Sequence, residues 1–82
     1  MSSETEAGFD YLAPAELYFP ASMGRRGGID YRRFANVELA LDFAFGSLSG
    51  SRLAAAALEV NSIRYDAPQM RRLQAERPNP GA

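Results

Sequence analysis

The 82-residue chain carries nine basic residues, all of them arginine, against ten acids, for a net charge of −1, and it has no histidine and no cysteine. That length makes one domain, and without Cys or His neither a disulfide framework nor a Cys/His zinc site can staple it, so core packing has to hold the fold. Residues 1–16 hold four acids and no base while residues 17–82 hold nine Arg against six acids, which makes the body mildly basic and falls short of the excess expected of a dedicated duplex-DNA binder.

Residues 1–13 read as an acidic N-terminal tail that carries Phe9, Tyr11 and Leu12 and can dock on the domain in part through its aromatics, and residues 14–77 read as a single folded unit. Ala15, Leu17 and Phe19 alternate with Glu16 and Tyr18, a strand pattern that Pro20 ends. The segment from Ala21 to Gly28 is a flexible loop with Arg25 and Arg26 among its glycines. Ile29 to Phe34 predicts a second strand antiparallel to the first, with Ile29, Tyr31 and Arg33 on one face and Asp30, Arg32 and Phe34 on the other. Because each face bears an aromatic, the strand either bulges near Arg32 or has its second face covered too.

Asn36 is a helix N-cap, and Val37, Ala40, Leu41, Ala44, Phe45 and Leu48 form an apolar stripe at helical spacing, with Gly50 or Gly46 as the stop. Leu39 and Phe43 lie on the flank of that stripe, where they widen the core face or form a protein-interaction patch. Leu58-Glu59-Val60, Asn61-Ser62 and Ile63-Arg64-Tyr65 fit a two-residue hairpin that sets Val60 opposite Ile63 and Glu59 opposite Arg64. Ala54 to Ala57 either extend this strand or end a short helical turn, with strand structure expected from about Ala55. Asp66 caps a last helix through a box-like spacing to Gln69, Met70 and Leu73 anchor it, and residues 78–82 are a C-terminal tail.

The expected fold is a small two-layer α+β domain: an antiparallel sheet of about four strands with two helices on one face, in the order β-β-α-β-β-α. Ile29-Asp30-Tyr31 and Ile63-Arg64-Tyr65 echo each other, each heading a strand that feeds a helix.

His, Cys and Lys are absent, so the usual general bases and activated nucleophiles are missing, and the serines sit in ordinary turn or cap contexts. No enzymatic activity, cofactor or metal is expected. The first residues lack a basic n-region and an apolar h-region, and no apolar stretch is long enough to span a bilayer, which predicts a cytoplasmic protein with no membrane partner. Two functions fit what is left. One is a protein-interaction or accessory module, capable of self-association, using the Leu39 and Phe43 patch; the other binds single-stranded RNA or DNA, or another anionic partner, through Arg25, Arg26, Arg32, Arg33 and Tyr31 of the first hairpin. An all-arginine basic set beside fourteen alanines also follows from GC-rich coding alone.

Tyr31-Arg32-Arg33-Phe34-Ala35, a helix, Leu58-Glu59-Val60, and Arg64-Tyr65-Asp66 before a short helix with an Arg doublet together resemble a group of short uncharacterised bacterial proteins. The resemblance spans about residues 29–73 and implies an α+β fold without implying an activity.

Overall fold

The computed structural model describes residues 9–21 and 28–77. β1 (Ala15–Pro20) pairs antiparallel with β2 (Ile29–Phe34), in a register that runs from Ala15 opposite Phe34 to Pro20 opposite Ile29. α1 (Val37–Ser47) and a short α2 (Gly50–Ala54) follow. The hairpin of β3 (Ala57–Val60) and β4 (Ile63–Tyr65) then leads into α3 (Ala67–Glu76). The sheet order is β2-β1-β3-β4, with every neighbouring pair antiparallel. The predicted α+β class holds, with one short helix more than the predicted order.

Alternation along β1 decides the layering. Ala15, Leu17 and Phe19 are buried, and the strand is paired on both sides, so its apolar face sits at the centre of the core with Leu58 and Val60 of β3. α1 rests on β1 and β2 through Val37, Ala40, Leu41 and Ala44, while α3 rests on β3 and β4, where Met70 and Leu73 are buried. The apolar stripe expected of α1 is therefore its packed face. β2 keeps its pairing without a bulge through all six residues, and its second aromatic, Phe34, is covered by Phe43 of α1, ring to ring at 5.6 Å.

Local chemistry sets the ends of the elements. The Asn36 side chain accepts from the Leu39 amide at 2.9 Å, and Asp66 and Gln69 exchange reciprocal capping-box bonds at 3.1 and 2.9 Å. Asn61 and Ser62 have φ of 52° and 70°, the left-handed pair that a two-residue hairpin turn requires to match strand twist. Gly50 is not the stop of the first helix. α1 ends at Ser47 because Leu48 turns extended and buries its side chain, and Gly50 instead opens α2. β3 begins at Ala57, two residues later than expected, because Ala55 and Ala56 still donate to carbonyls of α2. The tripeptide echo does not survive in orientation: Ile29 and Tyr31 lie on the sheet face opposite Ile63 and Tyr65, as their registers show.

Phe9 and Tyr11 dock on the domain. The Tyr11 carbonyl accepts from the Val37 and Glu38 amides at 3.1 and 3.4 Å, two of the donors that a helix start leaves without a partner. Its hydroxyl donates to the Leu73 carbonyl at 2.7 Å, and Phe9 stands edge-on to Tyr11 and Tyr65. Arg52 ties α2 to the sheet by donating from Nε and a terminal nitrogen to the Pro20 carbonyl, both at 3.2 Å. Arg77 closes the helical layer through a 2.8 Å ion pair with Asp42. No helix among the described residues is long and apolar enough to cross a membrane.

Candidate interaction surface

The helices cover one face of the sheet, and β1 and β2 dominate the other. Glu16, Tyr18 and Pro20 of β1 stand opposite Arg33, Tyr31 and Ile29 of β2, and Ala57, Glu59 and Arg64 continue the face across β3 and β4. One row across the strands is charged: Arg33, Glu16, Glu59, Arg64. Opposed carboxylates repel at the centre of that row, and the flanking arginines offset them, Arg33 at 3.3 Å from Glu16 and Arg64 at 3.5 Å from Glu59. The predicted Glu59 and Arg64 pair is one of the two.

The next row is aromatic. Tyr18 and Tyr31 lie with ring centroids 5.2 Å apart, and both hydroxyls donate to Glu16, at 3.4 and 3.3 Å. The Arg64 guanidinium reaches diagonally across β3, where Ala57 offers only a methyl, and sits 4.7 Å from the Tyr18 ring centroid. Loss of hydration, reinforced by the Glu16 and Glu59 carboxylates, pushes the Tyr18 phenol above its ordinary value. At the end of the face Ile29 is 65% exposed and Tyr31 49% exposed.

The site residues expected on the first hairpin divide between the two faces. Arg33 and Tyr31 share the open face, where Glu16 engages both. Arg32 points to the helical side and stacks 4.8 Å from the centroid of Phe43. Arg25 and Arg26 lie outside the described residues. Phe43 is half-buried against Phe19, Phe34 and Arg32, and Leu39 remains 47% exposed one turn before it, on the same flank of α1. That flank therefore borders β2.

β2 is also an edge of the sheet. The Ala21 amide donates to the Gly28 carbonyl at 2.9 Å, which fixes the phase of the ladder. Gly28, Asp30, Arg32 and Phe34 turn their backbone groups toward β1, and Ile29, Tyr31 and Arg33 turn theirs outward. Glu16, a carboxylate within pairing reach of the hairpin arginines by sequence, organises the open face, whereas the sequence did not mark Arg52, whose role depends on a contact 32 residues away.

A concavity of ≈ 660 Å³ lies where β1, β2 and the β3–β4 turn meet, with Glu16, Arg33, Phe34, Glu59, Asn61 and Ser62 in its lining. Among the described residues no polar or charged residue is buried, and no three His, Cys, Asp or Glu side chains are grouped to hold a metal. The chain matches no known protein family, no curated protein and no solved structure.

Proposed function

We propose that this chain is a non-catalytic, cytoplasmic protein-interaction module whose working surface is β2 with the part of the open face beside it. One observation carries the reading. A six-residue edge strand presents exposed Ile29 and Tyr31 and a row of outward backbone donors and acceptors, the features by which a sheet edge binds another polypeptide. The same surface suits a nucleic acid less well. Glu16 and Glu59 occupy the middle of the open face, and Arg32 and Arg33 point away from each other, so the strand does not offer a phosphate backbone one continuous cationic track. The missing His, Cys and Lys support binding without chemistry.

A photo-crosslinking amino acid at position 31 in the source cell tests the reading. The expected adduct resists nuclease and yields peptides of a crosslinked polypeptide. An adduct that nuclease removes, or no adduct at all, overturns it.

A further inference from the structure

We infer that the occupant of the β2 edge is a second copy of this chain, paired β2 to β2 about a two-fold axis perpendicular to the sheet and passing through Tyr31. This inference rests on the protein-interaction reading and names its partner.

The register follows from three constraints. In an antiparallel pair, opposed residues share a face and have the same hydrogen-bonding phase. Tyr31 points its amide and carbonyl outward, as do Ile29 and Arg33. Placing Tyr31 on Tyr31 of the second copy therefore makes a hydrogen-bonded pair at the axis, with Ile29 and Arg33 forming equivalent pairs on either side. All three outward amides of each strand gain acceptors.

The side chains then select this register over its neighbours. Asp30 falls opposite Arg32 of the second copy, twice by symmetry, at the non-hydrogen-bonded positions where side chains approach most closely. Sliding by one allowed step in either direction puts Arg32 on Arg32 or Asp30 on Asp30 at the axis, where like charges repel. Charges on an edge strand usually forbid pairing. Here their order, Asp-Tyr-Arg, is self-complementary about the central tyrosine.

Two further features fit. On the open face the Tyr18–Tyr31 stack of each copy meets the other across the axis, giving a continuous row of four tyrosines. On the helical face α1 lies over β1 and β2, so with strands about 4.8 Å apart the two α1 helices come within on the order of 10 Å of each other, a helix-packing distance. The exposed Leu39 lies on the flank that faces this gap.

Amide hydrogen exchange of the full wild-type chain, read residue by residue across about a hundredfold range of concentration, tests the geometry directly. The expected result is that the amides of Ile29, Tyr31 and Arg33 become protected as concentration rises, whereas those of Asp30 and Arg32 are protected throughout. Sedimentation supplies the second arm. Asp30→Arg and Arg32→Asp should each weaken association by at least about tenfold, because each sets like charges across the axis, and mixing the two variants should restore a dimer as the heterodimer. Tyr31→Pro removes the axial donor while an edge strand tolerates proline, so it should be a folded monomer and keeps the test open where Arg32→Asp disturbs the Phe43 contact. A wild type that stays monomeric, alternate amides that stay unprotected, or a mixture that does not pair would overturn the inference. A monomer whose position-31 adduct contains a different polypeptide overturns self-pairing but leaves the interaction module standing; a monomer with no polypeptide adduct removes both.

Discussion

Tyr11 does more for this fold than its place before the first strand suggests. Its carbonyl receives two amides at the start of α1, and its hydroxyl satisfies the Leu73 carbonyl in the last turn of α3, one of the acceptors a helix end leaves open. One residue thereby joins both major helices. Tyr11→Phe keeps the ring contacts and the backbone bonds and removes only the hydroxyl, so it should cost about 1 kcal/mol in denaturant unfolding. The same hydroxyl sets a response to alkali. Burial, then the Glu76 carboxylate, hold the Tyr11 phenol above its ordinary 10.0, and Tyr18 is raised as well. Below pH 10 both phenols are protonated in the folded and unfolded chain, and their contribution is complete. Above it the unfolded chain gives up these protons first, so stability falls as pH rises toward the folded values. Thermal midpoints followed from pH 8 upward should be flat and then decline beyond about pH 10, and Tyr11→Phe should make that decline shallower. An identical slope in the variant would place the alkaline sensitivity elsewhere.

At the scale of elements, the chain shows which parts of a fold are written locally. The β3–β4 register, the Asn36 cap and the Asp66 capping box were legible because each depends on residues three to seven positions apart, with periodicity and side-chain chemistry pointing the same way. β2 was legible in extent and in the division of its faces, yet what covers Phe34 was not, since Phe43 reaches it only after α1 has packed on the sheet. Gly50 misled because glycine after a helix usually marks a stop, whereas here the stop came from Leu48 turning inward to bury its side chain. The order of strands and the division of Arg32 from Arg33 into different neighbourhoods depended on the central placement of β1, a long-range outcome that local spacing does not encode. The hairpin turn retains a local conflict that can be relieved. Ser62 holds a φ of 70°, a conformation that costs a non-glycine residue about 1 kcal/mol, so Ser62→Gly should raise the thermal midpoint in spite of the greater freedom glycine gives the unfolded chain. A lower midpoint in the variant would show that serine contributes a side-chain contact that outweighs the backbone strain.

For the molecule as a whole, size and edges are the governing facts. A domain of this length has a stability on the order of 4–12 kcal/mol, and it exposes one long sheet edge at β2 and one three-residue edge at β4. Short edge strands are poor templates for pairing, and long ones are good templates. Pairing β2 with its own copy removes the long edge from solvent and leaves only the short β4 edges, at the two ends of an eight-stranded sheet. Folding and association are then linked, since the unfolded chain does not pair. Each tenfold rise in concentration should stabilise the dimer by about 1.4 kcal/mol, or about 0.7 kcal/mol per chain, which for a domain of this size corresponds to a rise in thermal midpoint of about 3–6 °C. Circular dichroism melts of the wild type at several concentrations measure that slope. Tyr31→Pro, lacking the axial amide, should melt at one temperature whatever its concentration. A wild-type midpoint equally independent of concentration would mean that the monomer is stable by itself, and that the charges of β2 keep its edge apart from other copies.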